Sequence, residues 1–283
     1  MNENKIAILT DSSTHIPESI RKGLSISVIP VWLLWDNERF RDGVDIDLPT
    51  FYRRLKESKT LPTTSQPTPG EFIEHFKQLA QNAAGVVGVL VSSKISGTVS
   101  SALAAREQLS NLSIKIVDSL QGSMGAGFMV LAAARAAAAG KPIKEIVAAA
   151  EELREKIHFL FMVDTLEYLH KGGRIGTAKR LLGTALSIKP ILQFKEGLIQ
   201  PLSQARTKSK ALAEILHIAE QRLGGKKMAE AAVVDIDAPR EGDTFAEMVK
   251  QRFNPLNLYR SPVSPVVGSH IGPGALGLAF YPE

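Results

Sequence analysis

The sequence predicts an α/β fold in two parts. Residues 1–155 form a parallel-sheet α/β domain, and residues 156–283 form a mixed-sheet, α+β-like domain. Three observations carry this. Apolar, β-branched runs alternate with helical periods through the first half, and strands apolar throughout belong to sheets buried on both faces. Three such runs end in Asp plus a hydroxyl: LTDSS at Asp11, VDS at Asp118 and VDT at Asp164. Beyond residue 156 the alternation gives way to a hairpin signal with helices beside it.

The elements follow in order. KIAILT (5–10) is a buried strand, and DSSTHIPESI is a turn and short helix. LSISVIPVWLLW (24–35) is one or two strands. LPTFYRRLKES (48–58) has helical period, and PTPGEFIEHFKQLAQ (67–81) is a helix approached through prolines. GVVGVLV is the next strand, followed by a helix over about 97–109. SIKIVD (113–118) is a strand, and an alanine-rich helix covers about 123–139. In the second half, IHFLFMV (157–163) is a strand. TLEYLHKGGRIGTAKRLLG contains two helices around a Gly-Gly turn. SIKPILQF and GLIQPLSQA are strands joined around Lys195–Gly197. SKALAEILHIAEQRLGG is a helix stopped by glycines. AEAAVVDID, a helix over about 242–253 and short C-terminal strands complete the chain.

Composition narrows the function classes. The 283 residues include no cysteine, which excludes disulfides and thiolate metal sites. The start, MNENKIAILT, lacks a secretory pattern, and the longest apolar stretch is interrupted by Arg135. A soluble cytoplasmic protein is expected. The net charge is +5, yet residues 165–213 alone hold nine Lys/Arg against Glu167 and Glu196. A basic region of this kind suits an anionic partner or is a solvated face. No aromatic residues interleave with these cations, which argues against single-stranded nucleic acid.

Several motifs resolve into structure rather than chemistry. Gly272–Gly277 fits G-x-G-x-x-G but lies too near the terminus for a dinucleotide-binding unit. Glu167/His170 and Glu214/His217 are E-x-x-H pairs without the four-helix bundle that a di-metal site requires, so no metal is expected. Two hydroxyl-rich loops remain, VSSKISGTVSS (91–101) and LPTTSQPTPGEF (61–72). Ser96-Gly97 opens a helix after a strand, where a nucleophile paired with His270 in the GSHIGPG loop would make a serine hydrolase or acyltransferase. The other reading is anion binding. Thr63, Thr64, Ser65 and Gln66 are neutral donors on a proline-stiffened loop, suited to holding a carboxylate or phosphate without attacking it.

Eight stretches in order make the chain resemble the DegV family, whose better understood members are fatty-acid-binding subunits of bacterial fatty acid kinase. They are ILTDSS (8–13), TSQPTPGEF (64–72), SSKISGTVSSA (92–102), VDSLQGSMGAG (117–127), LHKGGRIG (169–176), SIKPIL (187–192), RTKSKAL (206–212) and HIGPGALG (270–277). The resemblance implies one long-chain fatty acid buried between the two domains and no cofactor. It implies a carboxylate held at Thr64, Ser65, Ser96, Gly97 and His270. It also implies a basic surface at Arg174 and Arg206 offered to the kinase catalytic subunit, which converts the acid to an acyl phosphate for phospholipid synthesis. Transient contact with an anionic membrane surface is compatible with the same charge. Burying an acyl chain contributes about 0.8 kcal/mol per methylene, whereas an unpaired buried carboxylate opposes binding. Hydroxyls at one end of an apolar tunnel reconcile the two.

Overall fold

The computed structural model describes residues 5–182 and 188–283. In chain order the strands are β1 Ile6–Asp11, β2 Ile26–Ile29, β3 Trp32–Trp35, β4 Glu38–Arg41, β5 Thr63–Ser65, β6 Gly85–Leu90 and β7 Ile114–Asp118. They continue with β8 His158–Met162, β9 Lys189–Lys195, β10 Leu198–Ala205, β11 Met228–Asp235, β12 Asn257–Pro262 and β13 Leu276–Pro282. The helices are α1 Glu18–Gly23, α2 Leu48–Glu57, α3 Pro69–Ala80, α4 Thr98–Glu107 and α5 Ser123–Ala138. They continue with α6 Ile143–Arg154, α7 Glu167–Lys171, α8 Lys208–Leu223, α9 Pro239–Phe253 and α10 Pro265–Ile271.

The first half builds a four-stranded sheet in the order β2-β1-β6-β7, parallel throughout. Residues of β6 are buried on both faces, which explains why its sequence is apolar without alternation. The second half builds a six-stranded sheet, β10-β9-β8-β13-β11-β12, antiparallel except for β11–β12. Its mixed character matches the expected fold class. A third, antiparallel sheet, β4-β3-β5, carries one of the hydroxyl-rich stretches at its edge.

Local chemistry sets the helix ends. Thr68 and Glu71 form a capping box at α3, with Pro69 in the first turn. Thr207 caps the start of α8, and Gly224 ends it in the left-handed conformation. Helix α5 is unusual in that residues 123–131 are buried on every side. One face lies on β1 and β6 and another reaches β13, where Phe128 meets Tyr281 edge-on at 5.3 Å. Small residues let the helix approach both sheets, so its alanine and glycine content is a packing requirement.

Four features depart from the expected elements. Helix α6 follows α5 where no element was expected. Residues Thr63–Ser65 are a strand, β5, rather than a loop. Residues Gly176–Leu181 form a 3₁₀ helix, and the last residue of that expected helix, Gly183, and the first of the expected SIKPILQF strand, Ser187, lie outside the described residues. His270 does not sit in a loop: it closes α10, which Ser264 caps and Pro265 begins. Glycines at 268 and 272 disguise this short helix.

Candidate functional site: an apolar cavity with a polar end

Three loops follow strand ends, two at the carboxyl edge of the parallel sheet and one after β8 of the six-stranded sheet, and their aspartates hold them in place. Asp11 accepts from the Ser13 amide and hydroxyl and, at 2.8 Å, from the Val91 amide. Asp118 accepts from the Ser93 and Leu120 amides, each at 3.1 Å. Asp164 faces Lys189 at 2.9 Å and Lys208 at 3.8 Å. None of the three is free to act as a base.

The hydroxyls of the loop after β6 divide in the same way. Ser92 is buried and donates to the Gly197 carbonyl at 2.8 Å, tying this loop to the β9–β10 turn. Ser96 is different. Its Oγ shares a hydrogen with Thr98 Oγ1 at 2.8 Å and lines the cavity. At Gly97 a Cβ would lie 2.8 Å from Gln66 Nε2, so glycine lets the Gln66 side chain lie close against the Ser96 loop.

Thr64 pairs with Leu33 in register, and its hydroxyl meets His270 Nε2 at 2.7 Å. Ser65, one position on, belongs to the opposite face of β5. Its hydroxyl donates to the Gln66 carbonyl at 3.3 Å, and it does not line the cavity. The structure therefore brings Thr64, Ser96 and His270 to one space, supported by Gly97, and leaves Ser65 out.

His270 is held neutral. Burial, reinforced by the Arg174 charge, pushes its pKa down to about 4. Its Nδ1 is buried without a partner. A Cβ on Gly172 would come within 2.3 Å of that atom, so Gly172 is what admits the ring. A triad histidine has an acid at the nitrogen facing away from the nucleophile. Here that nitrogen faces Gly172, and Thr64 rather than Ser96 occupies Nε2. The arrangement lacks the relay that a serine nucleophile needs.

Arg174 is the residue that sequence reasoning assigned differently. It was placed on a partner-facing surface, but it is half-buried and lines the cavity. Nε donates to the Ile95 carbonyl at 3.1 Å, and Nη1 to the Gly172 carbonyl at 2.7 Å. It pairs with no carboxylate among the described residues, and burial lowers its pKa. Arg206 is exposed at the end of the β10–α8 connection, without an ion pair among the described residues.

These groups line one cavity, open in part to solvent. Its apolar wall is drawn mainly from the inner face of the six-stranded sheet: Phe159, Phe161, Phe194, Ile199, Val234 and Ile236. Phe159 and Phe194 stack in parallel planes with centroids 5.8 Å apart. An apolar wall with a few convergent polar groups is the make-up of a small-molecule site. Beside the expected donor Gln66, Arg174, Ser13 and Ser123 also line the cavity. Their motifs do not mark them as lining residues, because the cavity draws on segments distant in sequence. The E-x-x-H pairs are separately engaged: Glu167 pairs with Lys171 at 2.6 Å, and His217 bonds Gln221 at 3.0 Å. No group of described residues could hold a metal ion. No helix among the described residues is long and apolar enough to cross a membrane.

Comparison with known proteins adds an independent line. The family model for DegV matches residues 5–283. A DegV domain-containing protein of Listeria innocua is 36% identical over 281 residues, covering 99% of both chains. Among solved structures, a DegV family protein of Thermus thermophilus, described for its fatty acid binding, superposes with a TM-score of 0.92. It is 31% identical, covering 99% of this chain and 100% of that one. DegV of Bacillus subtilis, described as a fatty acid binding protein, superposes with a TM-score of 0.90 at 33% identity, covering 99% of both chains.

Proposed function

The chain belongs to the DegV family, and from that premise and its cavity we propose that it binds one long-chain fatty acid. The acyl chain lies against the phenylalanine-lined wall, and Thr64, Ser96, His270 and Arg174 receive the carboxylate. The observation that carries the reading is the imbalance at the polar end. Neutral hydroxyls and a guanidinium converge there with no protein carboxylate among the described residues to satisfy them. A buried cation without a counter-ion is costly, and an incoming carboxylate relieves that cost. Burial of the chain then contributes about 0.8 kcal/mol per methylene.

In this reading the protein is a carrier without catalytic residues or cofactor. Residues 1–155 supply the hydroxyl-rich carboxylate loops, and residues 156–283 add His270 and Arg174 and complete the acyl wall. The bound acid is presented in the cytoplasm to a fatty acid kinase catalytic subunit, which phosphorylates the carboxylate to an acyl phosphate for phospholipid synthesis. Arg206 and the cations around it form the docking face, which also suits brief contact with anionic lipid. Nucleic acid has no part in it. Mass spectrometry of a denatured extract of the purified protein tests the central claim, with about one long-chain fatty acid per chain expected. A lipid-free preparation that also ignores added palmitate and oleate removes the carrier reading.

A further inference from the structure

A second polar spot lies on the same cavity, away from the carboxylate end. Ser123 is 4% exposed, lines the cavity, and its hydroxyl has no hydrogen-bond partner. It begins the 16-residue helix α5 in the left-handed conformation, φ 47°, and no side chain caps that helix. Beside it, the turn after β1 brings Ser13 to the same wall. Gly127 of α5 packs against this turn, its Cβ position being 3.2 Å from the Thr14 carbonyl. The Ser13 hydroxyl is spent on Asp11 as a donor, so its oxygen is left as an acceptor. The spot thus offers a free donor at Ser123, uncapped amides at a helix N-terminus, and an acceptor at Ser13.

Helix α10 gives the spacing. Its last turn carries His270 at the carboxylate end, and its Ser264 amide bonds His15, two residues from Ser13. Seven helical residues span roughly 10 Å, which lies near the middle of a palmitate-length chain. A plain methylene there leaves Ser123 unsatisfied, whereas a hydroxyl both accepts and donates. We propose that this cavity is built for a fatty acid bearing a mid-chain hydroxyl, recognised by Ser123, Ser13 and the α5 N-terminus. The inference rests on the fatty acid reading above and narrows its substrate class.

The test is displacement of a fluorescent fatty acid from the full-length protein by palmitate and by monohydroxypalmitates substituted near C3, mid-chain and at the terminal carbon. The isomers share composition and hydration cost, so position alone separates them. Wild type should bind the mid-chain isomer at least about tenfold more tightly than the other two. Ser123→Ala should abolish that preference, read as each isomer's affinity relative to palmitate in the same variant. Ser123→Gly, which relieves the positive φ, should do the same and guards against a folding defect. A flat positional profile in wild type, or a preference surviving in both variants, overturns the inference with palmitate still bound. Failure to bind palmitate at all removes the underlying reading together with it.

Discussion

Helix α10 joins two buried polar clusters that are built on opposite plans. Around its first turn, Asp42 accepts from the Ser12 hydroxyl at 2.7 Å and the Val266 amide at 3.4 Å. His15 accepts from the Ser264 amide at 2.7 Å, and Asp11 receives Ser13 and Val91. Carboxylates and an imidazole acceptor here consume the donors of neighbouring loops. At the other end, Thr64, Ser96 and Arg174 are donors facing a cavity, and no acid among the described residues answers them. The first cluster is complete and serves the fold. The second is left open, and the fatty acid reading rests on it. Burial alone does not distinguish them; the balance of donors and acceptors does.

The comparison breaks most visibly by removing Asp11. Asp11→Ala orphans the buried Val91 amide and the Ser13 pair, and should cost about 3 kcal/mol of stability. Denaturant midpoints read this, and the folded fraction should retain palmitate affinity. A variant that keeps its stability and loses the acid would exchange the roles of the two clusters.

Ser96→Ala, Thr64→Ala and Arg174→Ala should behave conversely. Each removes a charge-assisted bond worth roughly 1.5–3 kcal/mol to the bound carboxylate, or about 10- to 100-fold in affinity. Unfolding midpoints should barely move. Double variants should be less than additive, since one carboxylate is shared. A serine-directed phosphonate should leave Ser96 unlabelled, and labelling with ester turnover would restore the hydrolase alternative.

Acid sharpens the contrast further. Burial holds His15 down to about 3, and His158 and His270 to about 4. In the unfolded chain all three take up protons near pH 6.5. Between pH 6 and 4 the unfolded state therefore gains three protons that the folded state refuses. Asp42, raised to about 6 by burial, and Asp11, also raised, act in the opposite sense. The three histidines outnumber the two aspartates, so stability should fall on acidification through this window. A bound carboxylate favours protonated His270 and leaves His15 untouched, so palmitate-loaded protein should show a shallower slope. Equal slopes with and without palmitate would remove His270 from the carboxylate site.

The smallest effect on the ligand is expected at Arg206. Arg206→Glu should change palmitate affinity less than about twofold while impairing acyl phosphate formation with the kinase subunit, an effect that added salt should mimic. Equal loss of palmitate binding would move Arg206 from the docking face to the pocket.

Much of this was legible in the sequence, and the rest was not for definable reasons. Strands such as Gly85–Leu90 and the alanine-rich α5 announce themselves through unbroken apolar character. Thr64, Ser96 and His270 stand in motifs, so their convergence could be expected. Ser65 could not be separated from Thr64, because which residue of a three-residue strand faces the cavity depends on its pairing with β3. That Arg174 also lines the cavity was not legible, because a basic segment reads as surface until two carbonyls, Ile95 and Gly172, are seen holding one of its members inward. The acyl wall, from Phe159 to Ile236, carries no motif at all. It is the inner face of a sheet, indistinguishable in sequence from ordinary core.

Helix α5 has a bearing on how the chain can vary. Its first nine residues have no outward face, so one inserted residue there would turn everything downstream by about 100° and spoil the fit to both sheets together. Length changes are absorbed in loops, where each strand or helix keeps its own register. Within α5 they cannot be absorbed, because the two halves of the molecule share this helix as a common gauge. A deletion series across 123–131 should yield no folded protein, whereas one across the exposed Asn82–Ala84 turn should.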